Sequence, residues 1–491
     1  MKKRGFASFA VASAVLFARA ASAQTQNVTS TDAPTWLGDR RYNEGIGIRS
    51  GDLELHPGIA GEFGYDSNYF LRSTQNNVVN GPPLTPPIPS LQLRVTPSLY
   101  VSTLTGERRE GDVIRLPPPI AFRGGINGTA YFPIGISSDS SVKNLPGNDI
   151  SAQRNVNIGA DGRLEIMPER PVSGAVFVSY TRVTQADPSN ATVAYDRDSI
   201  GGGAEIGLQP QSGTLDWHFQ YQYSTTLFEA QLPQAFDNMT HEVSTRGRWK
   251  FTPRTSLVFD ADQRFISYPS SVALANGLIG SQPIRTRLGF NGLITDRFAA
   301  TLMAGYGGSF YDNTFNPQQY DSVIGLAELK WFLSASPGVA KATDLGLALS
   351  SIAVGYQRDF QNSYLGTYYG IDRGYLKFTY FFAGRLLATL EGGVAAIEYP
   401  RIQQPESTLT DPADLRASAF TDVRADATFF TEYRFTNTFG LNGTFRYGQE
   451  FSKTLVREPG NPVGATGAAT NTEFAMDWQR FEVYVGVRWF L

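Results

Sequence analysis

The sequence predicts an all-β chain: a transmembrane, antiparallel, up-and-down β-barrel of about 18 strands, with 16 as the alternative count, short periplasmic turns and long extracellular loops. Three observations predict it. Apolar and polar residues alternate with a period of two through most of the chain, an even number of such segments are joined alternately by tight and long connections, and an export signal precedes them. Beyond that signal no apolar run reaches the roughly 18 residues that a spanning helix requires.

Composition narrows the function classes first. The 491 residues include no cysteine, so a disulfide framework or a cysteine metal site is excluded. Forty-two basic against 45 acidic residues lack the basic excess of a nucleic-acid binder. At the N-terminus Lys2, Lys3 and Arg4 precede an apolar run over 6–17 and then Ala21-Ser22-Ala23. That is the pattern of a cleavable signal peptide over 1–23, with the mature chain starting at Gln24. Losing Lys2, Lys3, Arg4 and Arg19 leaves 38 basic against 45 acidic residues, a mature charge of −7. Residues 24–52 read as a short periplasmic segment and 53–491 as the barrel.

Each strand rests on its alternation. Leu91, Leu93, Val95, Leu99 and Val101 share one face of the segment from Ser90, with Gln92, Arg94, Thr96 and Ser102 on the other. From Leu215 the apolar face is Trp217, Phe219, Tyr221 and Tyr223, against Asp216, His218, Gln220 and Gln222. Strands are predicted to begin near Pro57, Ser90, Pro118, Ser151, Val172, Ser199, Thr214, Met239, Ser256, Pro283, Ala299, Tyr320, Leu345, Gly370, Leu386, Phe420, Phe439 and Trp478. Tight connections at 167–171, 210–213, 252–255, 295–298, 383–384 and 436–438 mark one rim. Longer ones such as 66–89, 269–282, 400–419 and 451–477 mark the other, although 105–117 and 334–344 are long for the short side.

Aromatic residues are expected where strands cross the membrane interfaces. Outward positions carry Tyr65, Tyr180, Tyr223, Tyr356 and Tyr447 near the outer rim, and Trp249, Phe251, Trp331, Phe435, Phe439 and Trp489 near the periplasmic rim. The last strand puts Phe481, Val483, Val485, Val487, Trp489 and Leu491 on one face. This resembles the C-terminal signature handed to the barrel-assembly machinery, with Leu491 where Phe or Trp is usual.

The interior face predicts a polar conduit. Its candidate channel-lining residues are Arg94, Arg123, Arg246, Arg248, Asp260, Asp262, Arg285, Arg287, Arg373, Lys377, Arg424 and Arg446. A tight turn at 252–256 would set Arg248 opposite Asp260 and Arg246 opposite Asp262, and matching Phe435 with Phe439 sets Arg424 opposite Glu450. Most lumen charges then brace the wall. Arg285 and Arg287 lack such a partner and are the expected solute contacts. Residues 24–52 are too short for a plug domain, and an inward-folded long loop is the expected constriction.

No catalytic or cofactor motif stands out. Asp216 and His218 share a lumen face, an arrangement that orients an imidazole for base work, but adjacent polar residues are expected on any lumen strand. Asp312, Asn313 and Asp321 lack the ordered spacing of a calcium loop. The expectation is a channel with no cofactor and no enzymatic role.

The first strand, LELHPGIAGEFGYDSNYF over 53–70, resembles a family of Gram-negative outer-membrane barrels known as β-barrel porin 2, through Pro57, Tyr65, Asp66, Asn68 and Phe70. Several members are associated with exopolysaccharide secretion. The resemblance implies passage of a polysaccharide across the outer membrane, beside a separate periplasmic export protein. A diffusion porin for small polar solutes is the alternative, and a barrel enzyme acting on lipid or glycan the third reading.

Overall fold

The computed structural model describes residues 47–73, 86–103, 118–136, 149–168, 170–184, 196–210, 213–229, 236–270, 279–311, 318–333, 350–363, 367–382, 385–400, 419–452, 455–457, 473–475 and 477–491. The signal-peptide segment, the connections 383–384 and 334–344, and Asp312 and Asn313 lie outside them. No helix among the described residues is long and apolar enough to cross a membrane.

Eighteen strands make the wall: β1 Leu53–Asp66, β2 Ser90–Thr103, β3 Ile120–Gly135, β4 Asn155–Ile166, β5 Val172–Val183, β6 Arg197–Leu208, β7 Leu215–Phe228, β8 Asn238–Lys250, β9 Thr255–Ser267, β10 Ser281–Leu293, β11 Phe298–Tyr311, β12 Tyr320–Phe332, β13 Ser351–Asn362, β14 Tyr368–Phe382, β15 Leu386–Tyr399, β16 Phe420–Arg434, β17 Phe439–Phe451 and β18 Trp478–Phe490. Every strand pairs antiparallel with its neighbours in sequence, and β18 pairs with β1, so the sheet closes. Closure removes the exposed sheet edges that neither water nor lipid would tolerate. A short strand, Ile48–Ser50, adds to the periplasmic end of β1. Leu455–Arg457 and Glu473–Ala475 pair as a separate hairpin within the last long connection.

Seven predicted starts, at Ser90, Val172, Tyr320, Leu386, Phe420, Phe439 and Trp478, coincide with the observed ones. Two others move. Asp149 accepts a hydrogen bond from the Ser151 N–H at 3.0 Å and winds Ile150–Ala152 into a 3-10 turn, so β4 begins at Asn155. The strand expected near Leu345 begins at Ser351.

Three tight turns share one device. Thr252 Oγ1 accepts from the Thr255 N–H at 2.9 Å, Thr295 Oγ1 from Phe298 at 3.1 Å and Thr436 Oγ1 from Thr438 at 3.2 Å. A threonine hydroxyl that satisfies the turn's backbone holds the hairpin short without glycine. The β8–β9 hairpin is centred one residue earlier than predicted, and this corrects the register. Arg248 lies opposite Val258 and Arg246 opposite Asp260, while Asp262 faces Ser244. The Phe435–Phe439 match holds, with ring centroids 5.8 Å apart, and sets Arg424 opposite Glu450.

The two faces separate cleanly. On β18, Phe481, Val483, Val485, Val487 and Trp489 are exposed on the outside, whereas Arg480, Glu482, Tyr484 and Arg488 are buried within. Close approach of neighbouring strands demands glycine at Gly305, where a Cβ would overlap the Thr286 carbonyl oxygen. Gly305→Ala is expected to cost about 1–3 kcal/mol by overpacking, read as a lower urea midpoint for the refolded barrel.

Candidate functional site: the charged lumen

An apolar outer wall and a charged inner wall together decide the solvent on each side. Large apolar side chains such as Leu302, Val323, Val354, Leu376 and Val394 are exposed around the outside. In water this surface would aggregate; in hydrocarbon it is matched. Predicted periplasmic-rim aromatics Trp249, Phe251, Trp331, Phe435, Phe439 and Trp489 are all exposed on that outer surface. The chain is an outer-membrane β-barrel.

Inside, a cavity of about 930 Å³ is lined by residues of β7 to β18 and by Leu71. Leu71 adopts a left-handed φ of 54° at the tip of the turn that follows β1. Asn68 braces that turn: its Nδ2 donates to the carbonyls of Arg72 at 2.7 Å and Gln479 at 3.0 Å, and its Oδ1 accepts from the Arg72 N–H at 2.9 Å. Phe70 packs with Ile88 and Ile150. Leu71, at the start of the first long connection, thus borders the interior.

Three residues of the resembling motif, Asp66, Asn68 and Phe70, are buried. Asp66, wholly buried, receives hydrogen bonds from Arg480 Nε at 3.0 Å and Nη2 at 2.6 Å, and from Gln92 Nε2 at 3.1 Å. Arg480 also meets Glu482 at 3.0 Å, and the Tyr484 hydroxyl donates to Gln92 Oε1 at 2.8 Å. Arg94 lies 3.6 Å from Glu482, its guanidinium 3.4 Å above the Tyr484 ring. Asn442 donates to Glu62 at 2.7 Å, and Arg488 meets Glu432 at 2.9 Å. Apart from Arg488–Glu432, which ties β18 to β16, this buried network stitches the last two strands to the first two, where no hairpin helps closure.

Nine of the twelve candidate residues, all but Arg94, Arg123 and Arg248, border the interior cavity, and most of the twelve are held in ion pairs. Arg424 meets Glu450 at 2.5 Å across β16–β17, as the register requires. Asp260 and Asp262 turn instead to β10, Asp260 to Arg287 at 2.8 Å and Asp262 to Arg285 at 3.4 Å. Arg248 and Arg246 turn the other way, to Asp216 at 3.1 Å and Glu205 at 3.5 Å.

Arg285 and Arg287 therefore correct the expectation that they lack partners. Arg285 also binds Asp359 at 3.0 Å and donates to the Phe360 carbonyl at 2.6 Å, and Arg287 lies 3.7 Å from Asp359. They reach β13 from β10 because β11 offers only Gly305 and Gly307 at that level of its inner face. The same device lets Arg373 cross β15 at Gly393 to reach Asp426 at 2.7 Å. An inward glycine beside a long cation on the adjacent strand, with a carboxylate two or three strands from that cation, was the signal in the sequence.

Accessible charge lies elsewhere. Arg123 and Arg246 expose 48% and 47% of their side chains, against 10% for Arg285 and 12% for Arg287. Lys377, 3.4 Å from Glu391, is also partly open. Such hydrated, partly exposed pairs add little stability.

His218 is held from both sides, its Nε2 2.7 Å from Asp216 and its Nδ1 2.9 Å from Glu205. Both ring nitrogens are occupied within an ionic wall that includes Arg163, Arg246 and Arg248. Among the described residues no group of histidines and carboxylates is placed to hold a metal.

No protein-family model matches the chain, and no curated protein matches it. Solved structures do. OccAB3 of Acinetobacter baumannii is similar at 11% identity and a TM-score of 0.42, covering 90% of this chain and 100% of its own. A BenF-like porin from Pseudomonas fluorescens Pf-5 aligns at 10% identity and a TM-score of 0.42, covering 90% and 99%. The alcaligin outer-membrane receptor FauA of Bordetella pertussis aligns at 9% and 0.40, covering 88% and 76%. Nothing about substrate passes from them to this chain.

Proposed function

We propose that this chain is a porin-like channel that lets small polar solutes diffuse across the outer membrane, with a mild preference for anions. The observation that carries the reading is the cavity of about 930 Å³ inside a closed wall, with charged side chains such as Arg246, Arg373 and Lys377 in its lining, within the 300–1,000 Å³ that suits small molecules. The preference follows from exposure. The most accessible ion-paired charges of the inner wall are cations, Arg123 and Arg246, whereas Asp426 and Glu165 expose 33% and 30%.

Passage of an exopolysaccharide with a periplasmic export partner rests on the first-strand resemblance. Three of the residues that carry it, Asp66, Asn68 and Phe70, are occupied in closing the barrel and shaping its first turn. The test is single-channel conductance of the refolded chain lacking 1–23 in a planar bilayer. Stable open steps whose reversal potential favours chloride over potassium are expected. Silence from a barrel that still shows heat-modifiable migration on a gel would overturn the reading, and block by long acidic glycans but not by short ones would favour the polysaccharide.

A further inference from the structure

The inner wall is packed on one side of the barrel and open on another. Glu432, Asn442, Glu482, Glu62 and Thr96, inward on β16, β17, β18, β1 and β2, are buried among their neighbours. Across β5, β6 and β7 the inward side chains are mostly small and within reach of solvent. Val176 and Val178 are exposed on the outer face, so Phe177, Ser179 and Thr181 turn to the lumen. Both hydroxyl residues are exposed there, and the Phe177 ring is partly exposed.

A shallow recess runs through this open stretch. Phe177, Gly203 and Gln222 lie opposite one another in one row, and Ser179, Gly201 and Ser224 in the next. The inward glycines leave the middle strand bare. A Cβ on Gly203 would come within 2.6 Å of the Phe177 ring, and one on Gly201 within 3.2 Å of Ser179 Oγ and 3.4 Å of Gln222 Nε2. The ring therefore lies over Gly203, and the Ser179 hydroxyl and Gln222 amide converge over Gly201.

The polar groups around the recess are uncharged and have bonding capacity to spare. Among the described residues the hydroxyls of Ser179, Thr181 and Ser224 make no hydrogen bond, and the Gln222 side chain only accepts one, from Gln220 at 3.4 Å. Charges stand at the periplasmic end and are already paired. Arg163 meets Glu205 at 2.9 Å with its guanidinium 5.9 Å from the Phe177 ring centre, and Glu205 also holds His218 at 2.9 Å. Ser199 and Thr226, 3.2 Å apart, close the extracellular end.

We propose that this recess binds a neutral sugar ring, its C–H face on Phe177 and its hydroxyls bonded by Ser179, Gln222 and Ser224. The lining selects the class. A flat apolar ring beside unpaired hydroxyl and amide groups matches a solute with an apolar face and a rim of hydroxyls. An ion in the same place would lose water without gaining a counter-charge, because Arg163 and Glu205 neutralise each other. The assignment deepens the diffusion-channel reading by naming a solute class, and rests on it.

The test measures binding without transport. The refolded chain in micelles of a sugar-free amine-oxide detergent is titrated with cellobiose and followed by saturation-transfer difference NMR. Transfer to the ring C–H protons is expected. Phe177→Leu keeps apolar bulk but removes the flat ring, and Gln222→Ala removes the amide; each should raise the half-saturating concentration about fivefold. Thr379→Ala, in the cavity lining on β14, should leave it unchanged. No transfer to cellobiose, the same half-saturation in all three variants, or tighter binding of benzoate than of cellobiose would each overturn the proposal. Gln222→Ala decides alone where Phe177→Leu does not refold. Sugar binding by a barrel that is silent in a planar bilayer would keep the recess and reject the channel, whereas an open channel that binds no cellobiose would keep the channel and reject the recess.

Discussion

Asp66→Ala is expected to lower the stability of the refolded barrel by about 3–5 kcal/mol, the range for removing one partner of a buried ion pair. Asp66 is wholly buried and takes two hydrogen bonds from Arg480, which would be left with Glu482. The position magnifies the loss. β1 and β18 are adjacent without a connecting turn, so side-chain bonds across this junction replace the advantage that a hairpin gives every other strand pair. A lower temperature of heat-modified migration, with a urea midpoint reduced in parallel, is the expected readout. Arg254→Ala, which removes a pair with Asp296 exposed on a short turn, should change neither by more than about 0.5 kcal/mol. Equal effects of the two variants would refute a special role for the junction.

Charge reversal in the lumen should separate accessible from structural cations. Arg246→Glu combined with Lys377→Glu is expected to turn a mild chloride preference into a potassium preference, a change of about tenfold in the permeability ratio at low salt, shrinking as added salt shortens the Debye length. Arg285→Gln should leave the ratio nearly unchanged and instead lower stability, because that guanidinium ties Asp262, Asp359 and the Phe360 carbonyl together. Reversal potentials in a salt gradient measure the first effect and urea unfolding the second. A selectivity shift larger for Arg285→Gln than for the double reversal would return Arg285 to the role of solute contact.

The sequence showed strand identity and facing well because both depend on a local period. In β18, a residue two positions on returns to the same side whatever the neighbouring strand does, so Phe481 to Trp489 could be assigned outward from order alone. Arg424 and Glu450 could be paired because a tight turn with Phe435 and Phe439 at its base fixes one register. The β8–β9 hairpin shows the limit. Its turn centre lies one residue earlier, which shifts pairing by two, so every side chain keeps its face and changes its partner. Facing survives such a slip; ion pairing does not.

Fold class, strand order and the charged inner wall were thus written into the sequence by itself, since up-and-down pairing joins strands adjacent in the chain. Only the tertiary structure decided which charges are spare. Arg285 finds Asp359 three strands away, Arg163 finds Glu205 at 2.9 Å two strands away, and Asp66 finds Arg480 from opposite ends of the chain. These pairs depend on the curvature of a closed wall and on the small residues between them. Pairing between β12 and β13 likewise stops at Gly325 and Arg358, beyond which Asp359 and Arg285 bind the Phe360 backbone that period-two alternation alone would have assigned to the sheet.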